Sequence, residues 1–408
     1  MRGKENEPRT SEDYIKMDFE YGAKNYHPIP VVISRAKGCW VWDVEGRKYL
    51  DCLSSYSAVN QGHCHPEIVK TVQRQVEVLT LTSRAFHNNL MGPFLKKLTE
   101  VSGMEMALPM NTGAEAVETG IKLARKWGYK KKKVEKNKAE IIVCENNFHG
   151  RTTTIVGFSS DEQTRDGFGP FTPGFKMIAY NSTEALEEAI GPNTVAFLVE
   201  PIQGEAGVIV PEKGYLKKVR EICTENNVLL VLDEIQTGFC RTGKMFAYMH
   251  EDTKPDVLLV GKALGGGMYP VSAALSSREI MSVFKAGDHG STFGGNPLAA
   301  AVGMAAIDVL VKEKMAERAE VMGKYFRKRL RKMKTDKIKE VRGKGLLNAI
   351  ELLPKAGSAR KYCEKMKEFG VLAKDTHDII IRFAPPLIIT KEEIDWAVER
   401  IEKALQEN

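Results

Sequence analysis

The chain has 408 residues, 43% hydrophobic and 28% charged, a balance that fits a globular protein and a length that points to more than one domain. No stretch approaches the roughly 20 uninterrupted apolar residues of a membrane helix. Lys and Arg number 60 against 53 Asp and Glu, a net charge of +7. Much of the excess lies in Lys130–Lys133, which has no interleaved aromatic residues and reads as a solvated loop, not a nucleic-acid patch.

In chain order, the first twenty residues carry Glu5, Glu7, Glu12, Asp13, Asp18 and Glu20. That fits neither an apolar secretory signal nor an acid-poor transit peptide. The seven cysteines, at 39, 52, 64, 144, 223, 240 and 363, form no Cys-x-x-Cys pair. Free thiols in the reducing cytoplasm are the expectation, although a chain already trimmed of a presequence would look the same.

Residues 1–30 read as irregular. Short strands follow at Val31–Ile33, Trp40–Trp42 and Lys48–Leu50, with Glu45-Gly46 turning between the last two. His63-Cys64-His65 reads as a turn ahead of Pro66; no second ligand cluster supports a zinc site. The spacing of Val117, Ile121, Ala124 and Gly128 predicts a helix over Glu115–Trp127 after Asn111-Thr112-Gly113, with Glu115 and Glu118 at its positive end. Wholly apolar runs at Glu140–Cys144, Val195–Val199, Val228–Leu232 and Val257–Val260 alternate with amphipathic stretches. Such runs mark parallel strands covered on both faces. A long helix is expected over 298–333, then mixed strands and helices. Thr390 and Glu393 form a capping box opening a last helix buried through Ile394, Val398, Ile401 and Leu405. The expected organisation is an N-terminal segment, 1–60, joining a C-terminal small domain, 294–408, on a large α/β domain, 61–293.

Ligands in such sheets bind beyond the carboxyl ends of the strands, and chemistry-bearing residues stand there. Asp233 follows one apolar run. Lys262 follows the next, about one crossover unit later. A strand-ending aspartate is often only a helix cap, and a lysine there is often a surface residue. As a pair they fit an enzyme using pyridoxal 5'-phosphate: a lysine that bonds the cofactor's aldehyde and shuttles protons, and an acid that keeps the pyridine nitrogen charged. Thr112-Gly113-Ala114, at a helix start, can cradle the phosphate. The Gly-rich turn His289–Asn296, with Ser291 and Thr292, is a second candidate. Gly238-Phe-Cys-Arg-Thr-Gly243-Lys244 spells a P-loop pattern, but Met245 stands where a magnesium-binding hydroxyl is needed, and Asp233-Glu234 precede it.

The stretches YGAKNYHPIPVV, PMNTGAEAVETGIKLARKWGY, NFHGRT, VEPIQGEAGVIVP, DEIQTGFCRTGK, GKALGGGMYPVSA, GSTFGGNPLAAAV and IIRFAPPL occur in order between about Tyr21 and the C-terminus. Together they are very specific. The chain resembles the subgroup of fold-type I pyridoxal-phosphate aminotransferases that act on ornithine, acetylornithine or 4-aminobutyrate, the ornithine branch most of all. The resemblance implies a large domain with a mostly parallel seven-stranded sheet and a smaller α+β domain. It implies a ping-pong transfer from L-ornithine to 2-oxoglutarate in a homodimer with shared active sites. A non-catalytic relative keeping the fold is the reading from another class.

The resemblance also implies roles. Lys262 is the Schiff-base lysine and Asp233 the pyridine partner. Gln236 lies near the ring's 3-hydroxyl, Phe148 stacks on one ring face and Ile235 packs on the other. Gly113 and Ala114 hold the phosphate, which Thr292, beside Ser291, reaches from the neighbouring subunit. Tyr26 and Arg151 take the substrate's distal carboxylate. Arg382 takes the near one, Glu205 pairs with Arg382 while ornithine is bound, and Tyr56 lines the pocket. His149 and the triple glycine 265–267 depart from the pattern beside the site.

Overall fold

A computed structural model describes residues 10–407. Its N-terminal part begins with a helix, Ser11–Tyr21, where an irregular segment was expected. Thr10 and Asp13 close a capping box on it, and the Ser11 hydroxyl donates to Glu45 at 2.7 Å. The helix buries none of its residues, so no apolar periodicity announced it. Strands β1 (Ile33–Lys37), β2 (Trp40–Asp43) and β3 (Lys48–Asp51) follow. β1 starts two residues later than the apolar pattern predicts and runs four residues further.

The central sheet is built from β4 (Met106–Met110), β5 (Glu140–Cys144), β6 (Phe175–Ile178), β7 (Thr194–Val199), β8 (Leu229–Asp233), β9 (Val257–Val260) and β10 (Ser272–Ser276). Its spatial order is β4-β10-β9-β8-β7-β5-β6. β10 is antiparallel to both its neighbours, and the remaining strands run the same way. Every residue of β7, β8 and β9 is buried. Helices cover both faces, which is why these strands read as unbroken apolar runs.

The predicted helix at 115 is present as Gly113–Trp127. Thr112 caps the Glu115 N–H and the Glu115 side chain returns to the cap, while Val117, Ile121 and Ala124 are buried against the sheet. The lysine run is not wholly a solvated loop. The helix passes into a π-turn, Gly128–Lys132, and Lys132 Nζ donates to the carbonyls of Thr194, Asn226 and Asn227 at 2.7, 3.1 and 2.8 Å. His63 pairs with Asp51 at 2.8 Å and His65 with Glu313 at 2.9 Å, so the two imidazoles serve separate carboxylates.

Past the central sheet, the expected helix over 298–333 is two helices, Pro297–Lys312 and Met315–Leu330. Lys314 breaks them apart at φ +52°. β11 (Ile338–Lys344), β12 (Leu347–Leu352), β14 (Lys374–Thr376) and β15 (Ile380–Phe383) make an antiparallel sheet, and β13 (Val371–Leu372) pairs parallel with β3. The last helix, Lys391–Gln406, carries the Thr390–Glu393 capping box and buries Ile394, Val398, Ile401 and Leu405. Among the described residues no helix is long and apolar enough to cross a membrane.

Helix Met315–Leu330 meets the β11–β12 turn so closely that a Cβ on Gly323 would overlap the Gly345 carbonyl. Alanine normally stabilises a helix interior over glycine by about 1 kcal/mol. Here Gly323→Ala is expected to lower the unfolding free energy by about 1–3 kcal/mol through overpacking, read from the denaturant midpoint. An increase would contradict the packing.

Candidate active site

Because the other six strands share a direction that β10 alone opposes, the loops after β4, β5, β7, β8 and β9 open at one edge. They enclose a cavity of about 210 Å³ lined by Gly113, Phe148, Glu205, Asp233, Gln236 and Lys262 among others. Asp233, the last residue of β8, is 5% exposed. Its Oδ2 accepts from His149 Nδ1 at 2.7 Å and its Oδ1 from the Ile235 N–H at 3.0 Å. Lys262 follows β9, the neighbouring parallel strand, in a tight turn with φ +44°. A lysine in this left-handed region is held there at a cost by its surroundings. Burial pushes the Lys262 ammonium below its ordinary pKa; Glu205, Asp233 and Glu200 oppose that shift without cancelling it.

Behind Asp233 lies a second pair of groups. Burial, the largest single influence, would lower the pKa of His149, but its hydrogen bond to Asp233 and the charges of Asp233 and Glu200 together raise it. Glu200, the first residue after β7, accepts from the N–H groups of Phe148 at 3.0 Å and Gly204 at 3.3 Å. Burial raises its pKa to about 7, against the opposing pull of His149. At the other end of the cavity Gly113 and Ala114 open their helix. The first N–H groups of a helix have no partner within it. Among the described residues nothing else takes these two, and the dipole there favours an anion.

Another wall of the cavity is built on Glu205. Its Oε1 accepts from Arg382 Nη1 at 2.6 Å and from Gln236 Nε2 at 3.1 Å. Burial would raise Glu205, but Arg382 beside it holds the carboxyl below the usual range. The Arg382 guanidinium stands 5.3 Å from the Tyr56 ring. Tyr56 is presented by a run of left-handed residues, Ser54–Ser57, whose entry is held by Asp51 accepting the Leu53 and Ser54 N–H groups at 2.8 and 2.9 Å.

The expected site residues are not all brought together within one chain. Tyr26 is 70% exposed and lines an apolar groove with the N-terminal helix, although it lies within electrostatic reach of the Tyr56 phenol. Arg151 is exposed in a neighbouring cleft, its guanidinium 5.8 Å from the Phe148 ring. Ser291 accepts from Asn111 Nδ2 at 2.9 Å, and Thr292 is exposed; neither lines the cavity. Two residues received no role from sequence. His149 was visible only as an unusual neighbour of Phe148. Glu200 could have been found by the strand-end rule applied to β7.

A profile of the class-III aminotransferases matches residues 21–405. The chain belongs to that family. It is 58% identical to an ornithine aminotransferase of Brevibacillus brevis, over 96% of this chain and 97% of that protein. It is 54% identical to the ornithine aminotransferase of Bacillus subtilis, over 97% and 98%. Among solved structures, an ornithine aminotransferase from Toxoplasma gondii, described with partial occupancy of PLP at its active site, superposes with a TM-score of 0.97 at 49% identity, covering 98% of this chain and 95% of that one. An acetylornithine aminotransferase from Elizabethkingia anophelis gives 0.89 at 52% identity, covering 98% and 99%.

Class-III aminotransferases depend on pyridoxal 5'-phosphate, and the residues here fit it. The cavity offers a free helix N-terminus for the phosphate, an aromatic ring in Phe148, a carboxylate and an amine. Among the described residues, His149 Nε2 and Gln236 Oε1 are buried polar atoms without a partner. If His149 sets the charge and aim of Asp233, His149→Phe should lower kcat about 10-fold to 100-fold, the rate equivalent of losing one hydrogen bond to a charged group. An unchanged kcat with full cofactor loading would show that Asp233 needs no such support.

Proposed function

We propose that this chain transfers the δ-amino group of L-ornithine to a 2-oxo acid, chiefly 2-oxoglutarate, giving glutamate 5-semialdehyde and L-glutamate in ping-pong order. The observation that carries the reading is the Glu205–Arg382 pair at 2.6 Å, with Glu205 in the cavity wall that also holds Lys262 and both charges acting on that amine. One site must accept ornithine by its terminal amine, with the α-carboxylate far away, and then a 2-oxo acid with its α-carboxylate close. A carboxylate that occupies the arginine in one half-reaction and releases it in the other meets both demands.

When bound, pyridoxal 5'-phosphate supplies an electron-withdrawing ring that stabilises negative charge on the carbon bearing the amine. The protein holds and polarises it. Asp233, backed by His149, keeps the pyridine nitrogen charged. Phe148 and Ile235 would enclose the ring, and Gln236 would reach its 3-hydroxyl. Gly113 and Ala114 bind the phosphate. Lys262 Nζ would hold the cofactor's aldehyde carbon and, as a free amine, would carry the proton from and back to the substrate carbon that bears the amine. Its depressed pKa increases the share of free amine. Tyr26 and Arg151 hold the α-carboxylate of ornithine beside Tyr56. Arg382, freed from Glu205, grips the oxo acid bidentately.

The working unit in this reading is a homodimer in the cytoplasm. Thr292 and Phe293 are exposed at the tip of a loop beside the phosphate-binding helix, and Phe86 and Val78 are also exposed. This arrangement suits a second copy that receives Ser291 and Thr292 at its own phosphate. Unpaired cysteines throughout the described chain suit a reducing compartment. The domain organisation in this reading keeps 61–293 as the cofactor-binding body. Residues 1–60 join 294–408 through the β3–β13 pairing.

Acetylornithine and 4-aminobutyrate are the competing donors. Tyr56 and the exposed Tyr26 and Arg151 favour ornithine, because a free α-amino and α-carboxylate need polar partners. Turnover of the three donors with 2-oxoglutarate is expected to rank ornithine first by kcat/KM. If ornithine ranks last, the donor assignment is wrong.

A further inference from the structure

The P-loop-like stretch Gly238–Lys244 is not used by the chemistry above, yet it contains one of the largest fully buried side chains in the protein, Arg241. No carboxylate pairs with it among the described residues. Its Nη1 donates to the carbonyls of Leu346 at 2.9 Å and Pro385 at 2.6 Å, and its Nη2 to Asn60 Oδ1 at 2.5 Å. Burial drives its pKa down to about 9. Asp51 opposes that shift without forming an ion pair, and a cation so placed is costly in an interior. A charge-assisted fork to three acceptors offsets much of that cost and fixes their relative positions.

Those acceptors come from three different parts of the fold. Asn60 belongs to the N-terminal segment, and its own Nδ2 donates to the Phe239 carbonyl at 2.7 Å. Leu346 sits at the β11–β12 turn, where the Leu346 N–H donates to the Arg241 carbonyl at 3.0 Å. A Cβ on Gly345 would overlap the Arg241 carbonyl and the adjoining backbone, so the two chains touch main chain to main chain. Pro385 lies three residues beyond Arg382 on the segment leaving β15. That segment is also tied by the Ala384 N–H to the Cys52 carbonyl at 2.7 Å and the Leu387 N–H to the Asn60 carbonyl at 2.9 Å. Arg241 itself stands eight residues after Asp233 on the chain leaving β8.

We propose that Arg241 is a positioning residue that sets where the guanidinium of Arg382 stands relative to the Asp233–Lys262 pair. Its fork locks the end of β15 against the loop after β8. The loop is thus a spacer between the catalytic edge and the carboxylate ligand. Gly238 leaves room for the Glu234 carbonyl and Gly243 for Glu320, and Lys244 is left exposed.

The consequence is asymmetric between substrates. The oxo acid and glutamate depend on Arg382, while the α-carboxylate of ornithine does not. In Arg241→Lys a single ammonium replaces the two guanidinium nitrogens that reach the three acceptors in separate directions, so the fork is lost. Single-turnover half-reactions of the pyridoxal-phosphate-loaded enzyme, followed by cofactor absorbance, separate the effects. The expected result is an increase of about 10-fold to 100-fold in the half-saturating concentration of glutamate, as a misplacement on the order of 1 Å would produce. The ornithine half-reaction should change by less than about threefold, since its contacts are uniform with wild type.

Asn60→Ala, which removes one acceptor and keeps the arginine, should give the same asymmetry at smaller size; it decides the matter if Arg241→Lys does not fold. Equal losses in both half-reactions, or no loss in either, overturn the proposal. The inference rests on Arg382 as the near-carboxylate ligand. That reading fails separately if Arg382→Ala leaves the half-saturating concentration of glutamate unchanged.

Discussion

An anion and an amine can face one small cavity here because β8 and β9 are adjacent, parallel and end at the same edge of the sheet. Asp233 closes β8 in register with Leu259 of β9, and Lys262 follows three residues later. No loop has to travel to bring them together. The crossover between the strands returns the chain to the same starting edge, so each strand delivers its next residue to the same place. β4, β5 and β7 obey the same constraint and add the helix start at Gly113, Phe148 with His149, and Glu200 with Glu205.

The second level is electrostatic. Lys262 is a buried cation near Glu205, Asp233 and Glu200, and Arg382 is a second cation partnered by Glu205. Around Asp233 the order is reversed, with His149 carrying positive character between two carboxylates. Each group is stable inside because its neighbour has the opposite charge, and each neighbour is also a lever. In the proposed reading, moving Glu205 would change both the arginine that binds a carboxylate and the amine that moves a proton. Such coupling would let one cavity serve the two proposed substrates, which differ in where their carboxylate lies.

Much of this architecture was legible in the sequence because it rests on local rules. Doubly covered parallel strands leave unbroken apolar runs, and Thr112–Glu115 and Thr390–Glu393 mark helix starts through side chains three residues apart. The positions of Asp233 and Lys262 followed from strand ends alone. What was missed depends on approach in space. His149 and Glu200 act on Asp233 from separate strands, and Arg241 acts through carbonyls remote in sequence. The break at Lys314 was hidden because helix formers lie on both sides of it, and helix Ser11–Tyr21 because it buries no face. The site residues lying outside the cavity, Tyr26, Arg151 and Thr292, sit on exposed surfaces whose roles came only from family resemblance.

The central claim is that Lys262 is the amine facing the ring held over Asp233. It is tested most directly by loading the protein with pyridoxal 5'-phosphate, reducing with borohydride and mapping the peptides by mass. The account predicts one phosphopyridoxyl group, on the peptide containing Lys262, and none in Lys262→Ala. A label on another lysine of the loaded wild type, or no label at all, would contradict it.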